Sequence, residues 1–219
     1  MARHFYAFGG GPPFTTKMAQ QYVHQTKRGM IAILLVDREG WLAYMPDYTD
    51  KLKQYGAEKF RYLPLPSTTE EQVIKTIKDS GGVIICGGGT SRYAEYIADT
   101  NIGAAIKEAY ERGVPVAGFS AGALISPQNC IISSKDNKEQ RYVERKGIGL
   151  LFNTYFAVHF SAWNEKPHLQ AIFAKHPTAN VYGIDEKTGM YFHNGILERM
   201  EGMGVYQMQD GICRKINSA

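Results

Sequence analysis

Short apolar runs alternate with amphipathic segments through the first half of the chain. The run Met30–Val36 is apolar at nearly every position, which is typical of a strand covered on both faces of its sheet. The pattern Ser67–Glu70 is a capping box that predicts the start of a helix. Strands are predicted at His4–Phe8, Met30–Val36, Lys59–Leu63, Val83–Cys86 and Val114–Gly118, and helices at 15–27, 41–55, 67–79, 91–99 and 102–112. This repeated strand–helix order predicts a mostly parallel sheet with helices on both faces.

Apolar runs in the last third follow a different pattern, because turns separate them. The runs are Tyr155–Phe160, Val181–Ile184, Met190–His193 and Val205–Met208. The turn sequences Glu186–Gly189 and His193–Gly195 are typical of hairpins, so we expect antiparallel strands appended to the sheet. No linker, repeat or low-complexity tract divides the chain, and residues 1–219 are predicted to form one α/β domain.

The composition is that of an ordinary globular protein, with 44% hydrophobic and 21% charged residues and a formal net charge of +4. No block of Lys and Arg is present, so nucleic acid is not expected as a partner. No run reaches the roughly 18 apolar residues that span a bilayer, and the first residues lack the apolar core of a signal peptide. Three scattered cysteines, together with six histidines that lack ligand spacing, predict reduced thiols in a cytoplasmic protein without a metal site.

Three glycine-rich segments stand at the ends of predicted strands, at Gly9–Gly11, Gly87–Gly89 and Gly118–Gly122. Open α/β sheets bind their ligands at the carboxyl ends of the strands, so these segments are candidates for a site. The first two do not continue into a P-loop or a dinucleotide-binding motif. We therefore expect no nucleotide at either of them.

The third segment, Gly-Phe-Ser-Ala-Gly, matches the G-x-S-x-G nucleophile elbow and lies between a predicted strand and a predicted helix. A serine at such a sharp turn needs small neighbours. The N-terminus of the following helix would also present N–H groups and a positive dipole end where an oxyanion forms. The alternative is that Ser120 is only a helix cap. Downstream, His159 ends an apolar run, where it is either a general base or a packed core histidine.

Four motifs together resemble a known family. Gly87–Gly89, the segment 118–123, His159-Phe160 and Gly183–Glu186 stand in the order and approximate spacing of the serine peptidases that include bacterial aspartyl dipeptidase and cyanophycinase. The resemblance covers most of the chain. It implies a three-layer α/β/α sandwich related to class I glutamine amidotransferases, with C-terminal β-hairpins. It also implies cleavage of small peptides or isopeptide-like bonds through an acyl-enzyme, without a cofactor.

The resemblance also implies roles for single residues. Ser120 would be the nucleophile and His159 its general base, while the backbone N–H groups of Gly89 and Ala121 would form the oxyanion hole. Two carboxylates are candidates for the third member of the triad. Glu186 stands in an intact motif, whereas Asp136 lies one residue out of register with the acid of the aspartyl dipeptidases. We favour Glu186 and keep Asp136 as the alternative.

The segment after His159-Phe160 departs from the family pattern, because cyanophycinase-like members carry arginines there and this chain has none. Lys166 could substitute only as a point charge, and Trp163 and His168 either line a pocket or pack in the core. Thr90 also follows the glycine loop where many relatives have an amide side chain. The peptide preference stays open, as does the oligomeric state, with a homodimer among the alternatives. A non-catalytic protein that binds small ligands is the competing functional class.

Overall fold

The computed structural model describes residues 1–217. Its strands are β1 (His4–Phe8), β2 (Ile31–Val36), β3 (Phe60–Leu65), β4 (Gly82–Ile85), β5 (Val116–Phe119), β6 (Asn129–Ile132), β7 (Val143–Lys146), β8 (Thr154–Ala157), β9 (Asn180–Ile184), β10 (Gly189–His193), β11 (Ile196–Glu201), β12 (Val205–Gln209) and β13 (Ile212–Lys215). Its helices are α1 (Thr16–Gln25), α2 (Met45–Gln54), α3 (Glu70–Lys78), α4 (Thr90–Tyr93), α5 (Asn101–Glu111), α6 (Ala121–Leu124) and α7 (Lys166–Lys175). A 3₁₀ turn at Trp41–Tyr44 precedes α2, and a π-helical segment at Ala94–Ala98 extends α4.

The central sheet has seven strands in the order β11-β10-β1-β5-β4-β2-β3. Strands β1 to β5 are parallel to one another, and β10 and β11 add to the β1 edge in antiparallel orientation. Residues Ile31–Leu34 of β2 are fully buried, as their continuous apolar run requires. The prediction of a mostly parallel sheet with added C-terminal strands is therefore confirmed.

The order in which the chain passes through this sheet indicates which strand ends can form a ligand site. The chain moves outward from β1 to β2 and β3, then returns through β4 to β5, which pairs with β1. Because crossovers between parallel strands are right-handed, α1 and α2 cover one face and α3 and α5 cover the other. The crossovers that leave β1 and β4 therefore lie on opposite faces of the sheet. The carboxyl ends between such strands, here those of β1, β5 and β4, are where open sheets bind ligands.

The last third of the chain differs from the expected set of hairpins. Strands β13-β12-β9-β8 form a second sheet in which β8 and β9 are parallel, and α7 packs on it. The predicted hairpin at Glu186–Gly189 is wrong, because this segment leads from β9 in the second sheet to β10 in the central sheet. The hairpin at Asn194-Gly195 is confirmed, with φ angles of 52° and 83° that suit a tight two-residue turn.

One helix start also differs from its prediction. Helix α3 is capped by Thr69, whose hydroxyl accepts a hydrogen bond from the Gln72 amide at 3.4 Å, and Ser67 instead donates to the carboxylate of Asp37. Ser67 and Thr69 are both residue types that cap helices, and a local pattern does not define a helix start to better than one or two residues. Within the described part of the chain, no helix is long and apolar enough to cross a membrane.

Candidate active site

Ser120 occupies the sharp turn between β5 and α6. Its φ of 48° and ψ of −108° lie outside the regions that residues with a side chain normally adopt, so the turn is strained. The turn is held by a hydrogen bond from the Ser120 amide to the carbonyl of Phe8 at 2.9 Å. A Cβ on Gly118 would lie 2.5 Å from the carbonyl carbon of Gly122, and a Cβ on Gly122 would overlap the carbonyl oxygen of Ile85. The small neighbours of Ser120 are therefore a steric requirement.

Helix α6 contains only four residues, which changes one expectation from the sequence. A single helical turn has a small macrodipole, so the dipole contribution expected at Ser120 is minor. The local N–H groups remain. Ala121 is the first residue of α6, and its amide therefore has no acceptor within the helix.

The glycine loop after β4 passes directly beside Ser120. A Cβ on Gly87 would lie 3.3 Å from the Ser120 Cβ, and Gly89 is the residue that precedes α4. Two tyrosines fix this loop: the Gly87 amide donates to the Tyr48 hydroxyl at 3.1 Å, and the Tyr93 hydroxyl donates to the Gly87 carbonyl at 3.0 Å. The glycine loop and the turn at Ser120 therefore lie side by side at the carboxyl ends of β4 and β5.

His159 lies between Ser120 and a carboxylate. Its Nε2 is 2.8 Å from Ser120 Oγ, and its Nδ1 is hydrogen-bonded to the Glu186 carboxylate. An ionised carboxylate only accepts hydrogen bonds, so the proton of the neutral ring belongs on Nδ1, and Nε2 is free to accept from the serine hydroxyl. The His159 amide donates to the Gly9 carbonyl at 2.7 Å, and its φ of 51° is held by that contact.

The first glycine segment has a role that the sequence did not reveal. A Cβ on Gly10 would overlap the carboxylate of Glu186, so only glycine leaves room for this acid beside His159. The carbonyl oxygen of Gly9 accepts a hydrogen bond from the His159 amide. The only signal in the sequence was a glycine cluster at a strand end without a nucleotide motif.

Asp136, the alternative acid, is hydrogen-bonded to a residue other than His159. Its carboxylate accepts a hydrogen bond from the Thr90 hydroxyl, next to Gly89. Burial raises the pKa of Asp136, and the hydrogen bonds from Thr90 oppose that rise only in part. The Nδ1 of His159 is occupied by Glu186.

Trp163 and His168, which could each line a pocket or pack in the core, take different positions in the structure. Trp163 stacks on the His159 ring, with 4.3 Å between ring centroids and 19° between planes. His168 is buried in α7, with Nδ1 3.2 Å from the Glu165 carboxylate, and it packs in the core. Burial alone would raise the pKa of Glu165, but the adjacent His168 ring and the hydrogen bond from Ser133 outweigh it and hold that pKa below its usual value.

The other candidate groups take no part in this arrangement. Lys166 is exposed at the start of α7. Burial raises the pKa of Cys86 to about 12, which keeps the thiol protonated beside the glycine loop. Among residues 1–217, no cluster of three His, Cys, Asp or Glu side chains is arranged to hold a metal ion.

Comparisons with known proteins give a fold and a family. No curated protein sequence matches the chain. The fold is similar to a peptidase from an acI-B1 Actinobacterium, with a TM-score of 0.73 and 18% identity over 100% of this chain and 95% of that chain. It is also similar to a putative Peptidase E protein from Listeria monocytogenes EGD-e, with a TM-score of 0.66 and 13% identity over 99% of this chain and 100% of that chain. Residues 37–200, which include Ser120, His159 and Glu186, match peptidase family S51, and the chain belongs to that family.

Proposed function

We propose that this protein is a serine peptidase that cleaves short peptides or isopeptide-like bonds through an acyl-enzyme intermediate. The observation that carries the proposal is the continuous hydrogen-bonded chain from Ser120 Oγ through the His159 imidazole to the Glu186 carboxylate. Membership of a peptidase family supports the reaction class. The order of groups is that of a nucleophile, its base and the acid that orients the base.

In the first half of the reaction, Ser120 Oγ attacks the carbonyl carbon of the scissile amide while His159 Nε2 takes the hydroxyl proton. The carbonyl oxygen becomes an oxyanion, which the amides of Gly89 and Ala121 would stabilise by hydrogen bonds. His159 then donates its Nε2 proton to the leaving nitrogen as the carbon–nitrogen bond breaks. The products of this half are a free amine and an ester on Ser120.

In the second half, a water molecule attacks the ester and gives a proton to His159 Nε2. The oxyanion forms again and collapses, and the carbon–oxygen bond to Ser120 breaks. His159 returns the proton to Ser120 Oγ, which releases a carboxylic acid and restores the free enzyme. Throughout, the Glu186 carboxylate stabilises the imidazolium and holds the ring so that Nε2 faces Ser120. No step requires a cofactor.

The substrate is expected to differ from those of relatives that bind an acidic group with arginine. The turn after His159 carries Trp163, and the nearest cationic residue after it, Lys166, is exposed at the start of α7. A bidentate clamp for a substrate carboxylate is therefore not part of the proposal.

A fluorophosphonate probe tests the proposal, because it reacts covalently with an activated serine. We expect one adduct per chain, located at Ser120 by mass spectrometry, and no adduct in Ser120→Ala. His159→Ala should label much more slowly. A protein that only binds small ligands would not react at Ser120, and that outcome would refute the proposed function. A library of dipeptides and short peptides then identifies the substrate.

We also propose that the protein acts in the cytoplasm. The three cysteines are free, and burial raises the pKa of Cys86 and Cys130 to about 12, which is expected of structural thiols in a reducing compartment. Fractionation of the producing cells tests this localisation.

A further inference from the structure

Three sides of the His159 ring are in contact with other groups. Ser120 Oγ meets Nε2, Glu186 meets Nδ1, and the indole of Trp163 covers one face at a centroid distance of 4.3 Å and an angle of 19°. We propose that Trp163 is a positioning residue that fixes the plane of the His159 imidazole and stabilises its protonated form. This inference rests on the proposed function for its catalytic consequence, but the stabilisation itself can be measured without a substrate.

The indole is held in place by its own segment. The Trp163 amide donates to the His159 carbonyl at 2.8 Å, and the Lys135 ammonium donates to the Trp163 carbonyl. Below it, the Glu165 amide donates to the Phe160 carbonyl at 2.8 Å. These contacts close the turn and fix the backbone from which the Trp163 indole reaches the His159 ring.

Buried contacts anchor this turn to a second segment. The Glu165 carboxylate is 3% exposed and accepts from the Ser133 hydroxyl at 2.8 Å. Ser133 belongs to the same loop as Lys135, which reaches the Trp163 carbonyl. The turn that carries Trp163 is thus tied to the loop after β6 through Glu165 and through the Trp163 carbonyl.

A stacked indole favours the imidazolium over the neutral ring, because the electron-rich face of the indole attracts a cation. The effect is largest where water is partly excluded, and the His159 side chain is only 15% exposed. In the proposed reaction, the imidazolium forms as Ser120 loses its proton. The stack would therefore lower the barrier of both half-reactions.

The charged groups around His159 come from two segments. Glu186, after β9, and Asp136, in the loop after β6, are carboxylates that favour the imidazolium. Lys135 is a cation at the Trp163 carbonyl and opposes it. Trp163 is neutral, so its replacement removes the stack without changing any of these charges.

The first experiment follows the titration of the His159 ring by NMR in the free protein, with the signal assigned by its loss in His159→Gln. An exposed cation–π contact shifts the titration midpoint of the cation by about 0.5 pH unit. We expect the midpoint of the His159 titration to fall by about that amount in Trp163→Leu. Trp163→Phe should keep part of the effect. Trp41→Leu is the matched control, since Trp41 packs on Tyr62 and the chain has only these two tryptophans. An unchanged midpoint in Trp163→Leu would overturn the proposal.

The second experiment measures kcat and KM against pH. In Trp163→Leu we expect kcat to fall about two- to fivefold with KM nearly unchanged, and the acid limb of kcat/KM to move about 0.5 pH unit toward lower pH. The limb moves in that direction because the neutral, active imidazole persists at lower pH when the imidazolium is less stable. A role limited to packing would lower activity without moving the limb, and that result also overturns the proposal.

A third measurement covers the case in which Trp163→Leu does not fold. In Trp41→Phe the remaining indole is Trp163, and contact with an imidazolium quenches indole fluorescence. We expect the emission of Trp163 to increase as pH rises and the imidazolium loses its proton. This increase should be absent when His159→Gln is added to Trp41→Phe. A flat emission profile contradicts the stack. If the titrations behave as expected while no peptide is cleaved, the proposed function fails and the stabilisation of the imidazolium stands.

Discussion

Replacing Glu186 by Gln tests which carboxylate orients His159. The Glu186 carboxylate accepts from Nδ1, which leaves Nε2 unprotonated toward Ser120. A glutamine in that position can also turn its NH₂ group toward Nδ1, which selects the tautomer with the proton on Nε2. That tautomer cannot take the serine proton. The imidazolium also loses its adjacent negative charge, so both the base and the transition state are weakened.

The size of the loss follows from the surroundings of the acid. In the trypsin-like triad, the equivalent amide substitution lowers kcat about 10⁴-fold. Here the Glu186 side chain is 39% exposed, so water can solvate part of the imidazolium charge when the carboxylate is absent. We therefore expect a smaller loss, about a hundred- to a thousandfold in kcat, which equals about 3–4 kcal/mol in the barrier.

The assay compares kcat for Glu186→Gln and Asp136→Asn on one peptide substrate, with the fluorophosphonate labelling rate as a second readout. Asp136→Asn is the matched control. Its amide oxygen can still accept from the Thr90 hydroxyl, so we expect kcat within about threefold of the parent protein. The assignment of the triad acid would be refuted if Asp136→Asn were the impaired variant, or if Glu186→Gln retained full activity.

Three further predictions concern stability. Ser120→Gly removes the strain at φ 48° and should raise the free energy of unfolding by about 1 kcal/mol in urea while abolishing activity; equal or lower stability would show that the turn is not strained. Gly122→Ala should lower the free energy of unfolding by about 1–3 kcal/mol, because the added methyl meets backbone, whereas Gly11→Ala, in open space, should be neutral. The pKa of Glu165 is held below its usual 4.5, so its stabilising effect is present above that pH and lost as pH falls through the lowered pKa. Glu165→Gln should therefore lower Tm at pH 7 but progressively less toward pH 3, whereas Glu139→Gln, at an exposed carboxylate paired with Arg141, should change Tm little at pH 7.

The alternation of apolar runs with amphipathic segments was sufficient to predict the parallel sheet. Covered strands must be apolar on both faces, and a parallel pair needs a crossover, so the pattern along the chain implies the layers. The turn at Ser120 could also be predicted from the sequence, because its steric requirements fall on the nearby residues Gly118 and Gly122. Both features depend on residues close together in the sequence.

The choice of Glu186 over Asp136 as the neighbour of His159 was decided by the tertiary structure. Glu186 reaches the ring because β9 and β10 belong to different sheets, and the segment between them passes over Gly10 instead of closing a hairpin. The turn sequence Glu186–Gly189 is compatible with a hairpin and also with a connection between two sheets, since both use the same residue types. The contact of Trp163 with His159 has the same origin: Trp163 lies in the turn before α7, where it meets His159, whereas His168 is buried in α7, which packs on the second sheet. Sheet order and the packing between sheets are non-local properties, so they became visible only in the folded chain.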